Sequence, residues 1–288
     1  MLISVASGKG GTGKTTVVTN LALALAGDYK VQVLDCDVEE PNLHLFLRPK
    51  VYATEEVTLP VPEVDGEKCI LCGACSDFCA YNALALAREK IILFPELCNG
   101  CRGCTMVCPV GAIQERPHRI GVLHRGKAGE IDFVSGRLDV GKPLAPPVIK
   151  AVKEQDQGKG IRLVDAPPGT SCSMIEAVRD TQFCLLVTEP TPFGLHDLKL
   201  AVGVARILGI PLGVVVNKST LGYTQVEDYC REEGIPILLK IPFQRHYAAL
   251  YARGGALVSE YPEWERAFRE VFLKIERLVR ENARTASG

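Results

Sequence analysis

Eight of the 12 cysteines fall in two runs of one spacing, Cys69, Cys72, Cys75, Cys79 and then Cys98, Cys101, Cys104, Cys108, each C-x2-C-x2-C-x3-C. Thiolates are soft ligands that suit iron–sulfur clusters or zinc. Zinc sites draw on paired C-x2-C knuckles separated by a longer loop. Three cysteines at successive x2 spacing followed by x3, with Pro109 after the second run, suit a cubane instead. The runs can therefore supply four thiolates to each of two [4Fe-4S] clusters. Ala80 follows the first run where proline is the commoner residue, which weakens a local turn but not the ligand count. CILCGACSDFCAYNAL aligns with CNGCRGCTMVCPVGAI as an internal duplication.

A second chemistry opens the chain. Gly8 to Thr15 fits G-x4-G-K-[ST] between a strand-like LISVAS and a helix-like run from Lys14 to Ala26, the context of a phosphate-binding loop. Backbone N–H groups of Gly10, Gly11, Thr12 and Gly13 can turn inward around phosphate oxygens, and the helix N-terminus, with Thr16 in its first turn, adds its dipole. Lys14 reaches the β- and γ-phosphates of ATP, and the Thr15 hydroxyl ligates Mg2+.

Apolar runs of parallel-strand type recur to position these groups, at residues 31–37, 161–166, 183–189, 212–218 and 237–243, separated by helix-length segments. That alternation implies βαβ units and a mostly parallel sheet covered on both faces, an α/β fold. The rhythm stops between Pro60 and Pro117, around the cysteines. Three segments are expected: 1–59 as the first part of an ATPase domain, 60–117 as an inserted cluster domain, and 118–288 as the ATPase domain resumed. The insert is too small to be stable by apolar burial alone, and metal coordination supplies what its core lacks.

The 288 residues carry a formal net charge of -1 and 47% hydrophobic residues, enough for a sizeable core. This balance gives no electrostatic reason to expect nucleic acid. No leader pattern and no apolar run of membrane-spanning length is present, so a cytoplasmic protein is expected, in which the cysteines are not a disulfide framework. Cys36, Cys184 and Cys230 lie in apolar or helical surroundings and read as small buried hydrophobes. His44, His118, His124, His196 and His246 have no metal-ligand spacing.

KGGTGKTT, with its second lysine Lys9, resembles the deviant Walker A motif of the MinD/ParA superfamily, which includes the nitrogenase iron protein. The resemblance covers essentially the whole chain and looks like the members containing an inserted ferredoxin domain. It implies a MinD-like, SIMIBI-type P-loop NTPase with a bacterial-type 2[4Fe-4S] ferredoxin insert of α+β type. It further implies an ATP-dependent dimer, with itself or with a paralogue, in which Lys9 reaches the partner's phosphates. Asp37, in LDCDVEEPNLH, matches the acid that orients the attacking water; Asp165, in VDAPPGT, the acid near magnesium; and Asn217, in VVVNKS, the residue that hydrogen-bonds adenine. Asp35 reads equally as a structural strand-end carboxylate. In two-cluster ferredoxins the fourth cysteine of each run ligates the other cluster, which groups Cys69, Cys72 and Cys75 with Cys108, and Cys98, Cys101 and Cys104 with Cys79. Cys172 resembles, incompletely, a cysteine past the second switch of the nitrogenase iron protein; its upstream companion has no counterpart in VSGRLDVGK.

Together these features imply an ATPase, hydrolysing ATP to ADP and phosphate, that couples nucleotide-dependent dimerisation to electron transfer through two clusters. An alternative is an ATP-dependent assembly or carrier factor delivering a cluster to a client. A positioning scaffold on membrane or DNA is disfavoured by the C-terminal stretch, where Trp264, Phe268, Val271 and Ile275 share a helical face but basic and acidic residues balance, unlike a lipid-seeking anchor. The sequence names neither the redox partner nor a client.

Overall fold

The apolar runs become neighbouring strands, and the central ones are buried on both faces. In the computed structural model, which describes residues 1–285, all residues of Leu2–Ala6 and Val31–Asp35 are buried. The strands are β1 (Leu2–Ala6), β2 (Val31–Asp35), β3 (Lys50–Val64), β4 (Leu84–Leu86), β5 (Ile91–Leu93), β6 (Ile113–Ala128), β7 (Ile131–Leu138), β8 (Ile161–Asp165), β9 (Phe183–Thr188), β10 (Leu212–Asn217) and β11 (Ile237–Ile241). The helices are α1 (Lys14–Leu25), α2 (Leu43–Leu47), α3 (Ala74–Phe78), α4 (Gly103–Val107), α5 (Pro146–Lys153), α6 (Cys172–Val178), α7 (Pro192–Ile207), α8 (Gln225–Glu232), α9 (Arg245–Ala252), α10 (Leu257–Glu260) and α11 (Pro262–Thr285).

One sheet runs in the order β11-β10-β9-β1-β8-β2-β7-β6-β3, while β4 and β5 form a separate hairpin. It is parallel from β11 to β7 and antiparallel at β7-β6 and β6-β3. Val148 of α5, Met174 of α6, Leu198 of α7 and Val226 of α8 belong to one core cluster. Leu21 of α1, Leu250 of α9 and Phe268 and Ile275 of α11 belong to the other. Fully burying one such side chain contributes about 1.5–3 kcal/mol. The apolar face of α11 is thus spent on the protein's own core, and among the described residues no helix is long and apolar enough to cross a membrane.

The expected limits of the insert fall elsewhere than the chain's own breaks. β3 and β6 run through Pro60, Pro62 and Pro117 as an antiparallel ribbon, with Pro60 opposite Pro117, and their ladder closes at Val64 and Ile113. Boundaries at 59/60 and 117/118 therefore cut a continuous ribbon. Proline is tolerated there because β3 is an edge strand and β7 pairs with β6 only from Gly121 onward, leaving one side of the ribbon unpaired at Pro117. The cysteines hang from the far end of this extension of the sheet.

Candidate nucleotide and cysteine sites

The P-loop joins β1 to α1, and two of its glycines are fixed by close approach. A Cβ on Gly8 would clash with the Asp197 carbonyl of α7, and one on Gly13, at φ +98°, with the Asn217 amide. Asn217 Nδ2 donates to Thr12 O at 2.8 Å, and its Oδ1 accepts from Lys218 N at 2.9 Å. The side chain expected to meet adenine thus also braces the loop, and one amide N–H stays unclaimed.

A cleft of about 370 Å³ opens beside the loop, within the range for small-molecule sites. Gly10, Gly11, Gly13, Lys14, Thr15 and Thr16 line it together with Asp37 and Asn217. Thr12 is buried just behind them. Phe243, Tyr247 and Tyr251 close another side. These aromatics sit beyond β11, and no motif in the sequence marks them.

At the floor, the Thr15 hydroxyl donates to Asp165 Oδ2 at 2.9 Å. Asp35 and Asp165 are register partners at the ends of β2 and β8. One oxygen of each, Oδ1, is buried without a hydrogen-bond partner. Burial first, then the charge of Asp165, pushes the Asp35 carboxyl well up, while its Oδ2 accepts from Leu43 N at 3.3 Å. Burial also raises Asp165 to about 7 and Asp37 to about 6, with Lys14 opposing both shifts. A hydroxyl beside a buried carboxylate with an orphan oxygen fits Mg2+, whose charge would offset that burial.

Lys9 lies outside the cleft lining. Its Nζ stands 3.6 Å from Glu189 Oε2, while Lys218 Nζ is 2.6 Å from the other oxygen. Glu189 follows β9 and went unmarked because an isolated strand-end acid carries no motif.

The eight cysteines line two cavities. Cys69, Cys72, Cys75 and Cys108 surround one, and Cys79, Cys98, Cys101 and Cys104 the other, of about 150 Å³. Each set takes its fourth member from the opposite run. Ala83 N donates to Cys79 Sγ at 3.3 Å and Ala112 N to Cys108 Sγ at 3.2 Å, the same local bond in both copies. Burial pushes the Cys75, Cys98 and Cys104 thiols up. Among the described residues no three Cys, His, Asp or Glu side chains converge on a single-ion site. Four thiolates about each cavity match the ligand count of a cubane, which takes one at each iron.

The cysteines are packed in two clusters that do not follow the division into cavities. Cys98 and Ala83 pack in the same core cluster as Leu59, Ile120 and Val148. Cys75 and Cys104, one from each cavity, share a small separate cluster with Leu84 and Ile113. Of the remaining cysteines, Cys36, Cys184 and Cys230 are buried, burial raising Cys184 to about 12 and Cys230 to about 11, and Cys172 is exposed at the start of α6.

A mostly parallel sheet with this loop and these strand-end acids defines a P-loop nucleotide-binding protein. The chain belongs to the CobQ/CobB/MinD/ParA nucleotide binding domain family, whose model matches residues 3–258. It is 30% identical over 262 residues to the uncharacterized protein MJ0579 of Methanocaldococcus jannaschii, covering 90% of this chain and 92% of that one. It is 27% identical over 297 residues to an iron-sulfur cluster carrier protein of Aquifex aeolicus, covering 96% and 66%. Among solved structures, the septum site-determining protein MinD of Pyrococcus horikoshii with Mg-ADP shares the fold, at TM-score 0.57 and 21% identity, with 98% of each chain covered.

Proposed function

We propose that this protein hydrolyses ATP and couples its nucleotide state to electron transfer through two [4Fe-4S] clusters, each held by one of the crossed cysteine sets. The supporting observation is that the two four-cysteine cavities hang from a ribbon whose strands continue into the nucleotide-binding sheet. When bound, the clusters supply one-electron chemistry. The chain's part is to hold them by Cys69, Cys72, Cys75 and Cys108, and by Cys79, Cys98, Cys101 and Cys104. In the cleft, Lys14 and the loop N–H groups bind the phosphates, Thr15 and Asp165 hold Mg2+, and Asp37 orients water. Lys9 exchanges Glu189 for a partner subunit's phosphate in an ATP-bound dimer, formed with a second copy or a paralogue. Anaerobic redox titration with ADP and with a non-hydrolysable ATP analogue tests this: nucleotide-dependent potentials are expected, and identical potentials overturn the coupling.

The carrier protein among the relatives favours a second reading, delivery of a cluster to a client. Four cysteines per cavity, with Cys75, Cys98 and Cys104 buried, favour retention. ATP-dependent transfer of labelled iron to an apo-acceptor decides for delivery.

A further inference from the structure

One short segment bonds both to the residue next to Asp37 of the nucleotide cleft and to the turn that precedes Cys98 of one cysteine cavity. Leu138 N donates to the carbonyl of Val38, the residue after Asp37, at 2.8 Å, and Asp139 N donates to Ile120 O at 2.8 Å. The Asp139 carboxylate accepts two hydrogen bonds from Arg119, at 2.9 and 3.3 Å. The chain then turns tightly: Lys142 N donates to Asp139 O at 3.1 Å across Gly141, at φ +81°. Lys142 ends the turn with its side chain only 19% exposed. Its Nζ donates to His118 Nε2 at 2.8 Å and stands 3.7 Å from Glu96 Oε1. Glu96 lies in the 3-10 turn Pro95–Leu97, directly before Cys98.

We propose that Leu138–Lys142 relays the nucleotide state to the Cys79, Cys98, Cys101 and Cys104 site alone, with Lys142 as its positioning residue. This rests on the coupled reading above and assigns it a route. Coupling needs an element with two arrangements that both sites bias. Asp37 lines the cleft, so an arrangement favoured by the γ-phosphate displaces Val38 and the Leu138 amide bonded to it. The hydrogen-bonded turn passes that displacement to Lys142 as a nearly rigid unit. The Lys142 cation then changes its distance from Glu96 and from the Cys98 loop. A nearer cation stabilises the more negative, reduced form of whatever those thiolates hold. Among the described residues, no hydrogen bond or ion pair joins Leu138–Lys142 to Cys69, Cys72, Cys75 or Cys108.

The test is anaerobic redox titration of the reconstituted protein followed by electron paramagnetic resonance, with ADP and with a non-hydrolysable ATP analogue. Signals are assigned to the two sites through Cys101→Ser and Cys72→Ser. In the unaltered protein the nucleotide should change the reduced-to-oxidised ratio of the Cys98-containing site at fixed potential by about threefold or more, the scale of one ion pair. The change should vanish in Lys142→Ala and Glu96→Gln and return in Lys142→Arg. If the unaltered protein responds and both variants keep the response, the relay is overturned and the coupling stands. A response confined to the Cys69-containing site also overturns the relay. No response at either site in the unaltered protein removes coupling and relay together.

Discussion

The Thr15 hydroxyl and the Asp165 carboxylate meet at 2.9 Å although 150 positions separate them, because β1 and β8 are neighbours whose C-terminal ends open on one cleft. Asp165→Asn keeps the shape and the bond to Thr15 but removes the charge that balances a divalent cation. Mg2+ affinity in the nucleotide complex should fall by roughly 100-fold or more, with metal-free nucleotide binding retained. Calorimetric titration with and without Mg2+ checks this. Equal losses in both conditions would point to a damaged fold instead.

Two carboxyls in the cleft are raised, Asp37 to about 6 and Asp165 to about 7, burial being the main cause in each. The roles proposed for them need both ionised, Asp37 to accept a hydrogen bond from water and Asp165 to hold metal. A raised pKa retains the proton to higher pH, so kcat/KM for ATP hydrolysis should be flat above about 8 and fall below 7. The fall steepens toward two powers of ten per pH unit below about 6, since kcat/KM reports the free enzyme's groups. A rate independent of pH between 5 and 8 would exclude these roles.

The crossed cavities predict which cysteines fail together. Full reconstitution should give about eight irons per chain. Cys75→Ser with Cys108→Ser should leave about four, because both changes fall on one cavity. Cys75→Ser with Cys79→Ser, though closer in sequence, should disturb both and leave fewer. Iron and sulfide analysis of the two double variants, with unaltered protein as reference, reads the difference. The reverse order would restore a sequential grouping.

Much of this arrangement was legible because the groups concerned sit where a short pattern crosses an element boundary. Asp165 ends a buried strand, and Lys14 and Thr15 open a helix, so motif and topology coincide. The ribbon was not legible. β3 exposes Glu55 and Glu56 and β6 exposes Arg116 and Arg119, so neither has the continuous apolar run of the parallel strands. Pro60 and Pro117 then read as punctuation, although an unpaired ribbon side accommodates them. Glu189, Lys142 and Tyr251 act through long-range juxtaposition that no local spacing encodes. Asn217 is expected from its strand-end motif to meet adenine, whereas its grip on Thr12 depends on β10 lying beside the loop, which only the fold reveals.

Lys9 offers a test of subunit cooperation. Within one chain it is held at 3.6 Å by Glu189 and remains about one-third exposed, while Lys218 pairs more closely with the same acid. Lys9 can therefore leave without stranding a buried charge, and Lys9→Ala should change stability by less than about 1 kcal/mol, as for other partly exposed pairs. If Lys9 serves the partner's phosphates, a Lys9→Ala subunit keeps its own Asp37 and can borrow Lys9 from a partner carrying Asp37→Ala. Each variant alone should be nearly inactive. An equal mixture should recover roughly one quarter of full activity, because half the randomly paired dimers are mixed and each has one intact site of two. Recovery should depend on total protein concentration as dimerisation does. A mixture no more active than its parts would place the action of Lys9 within its own subunit.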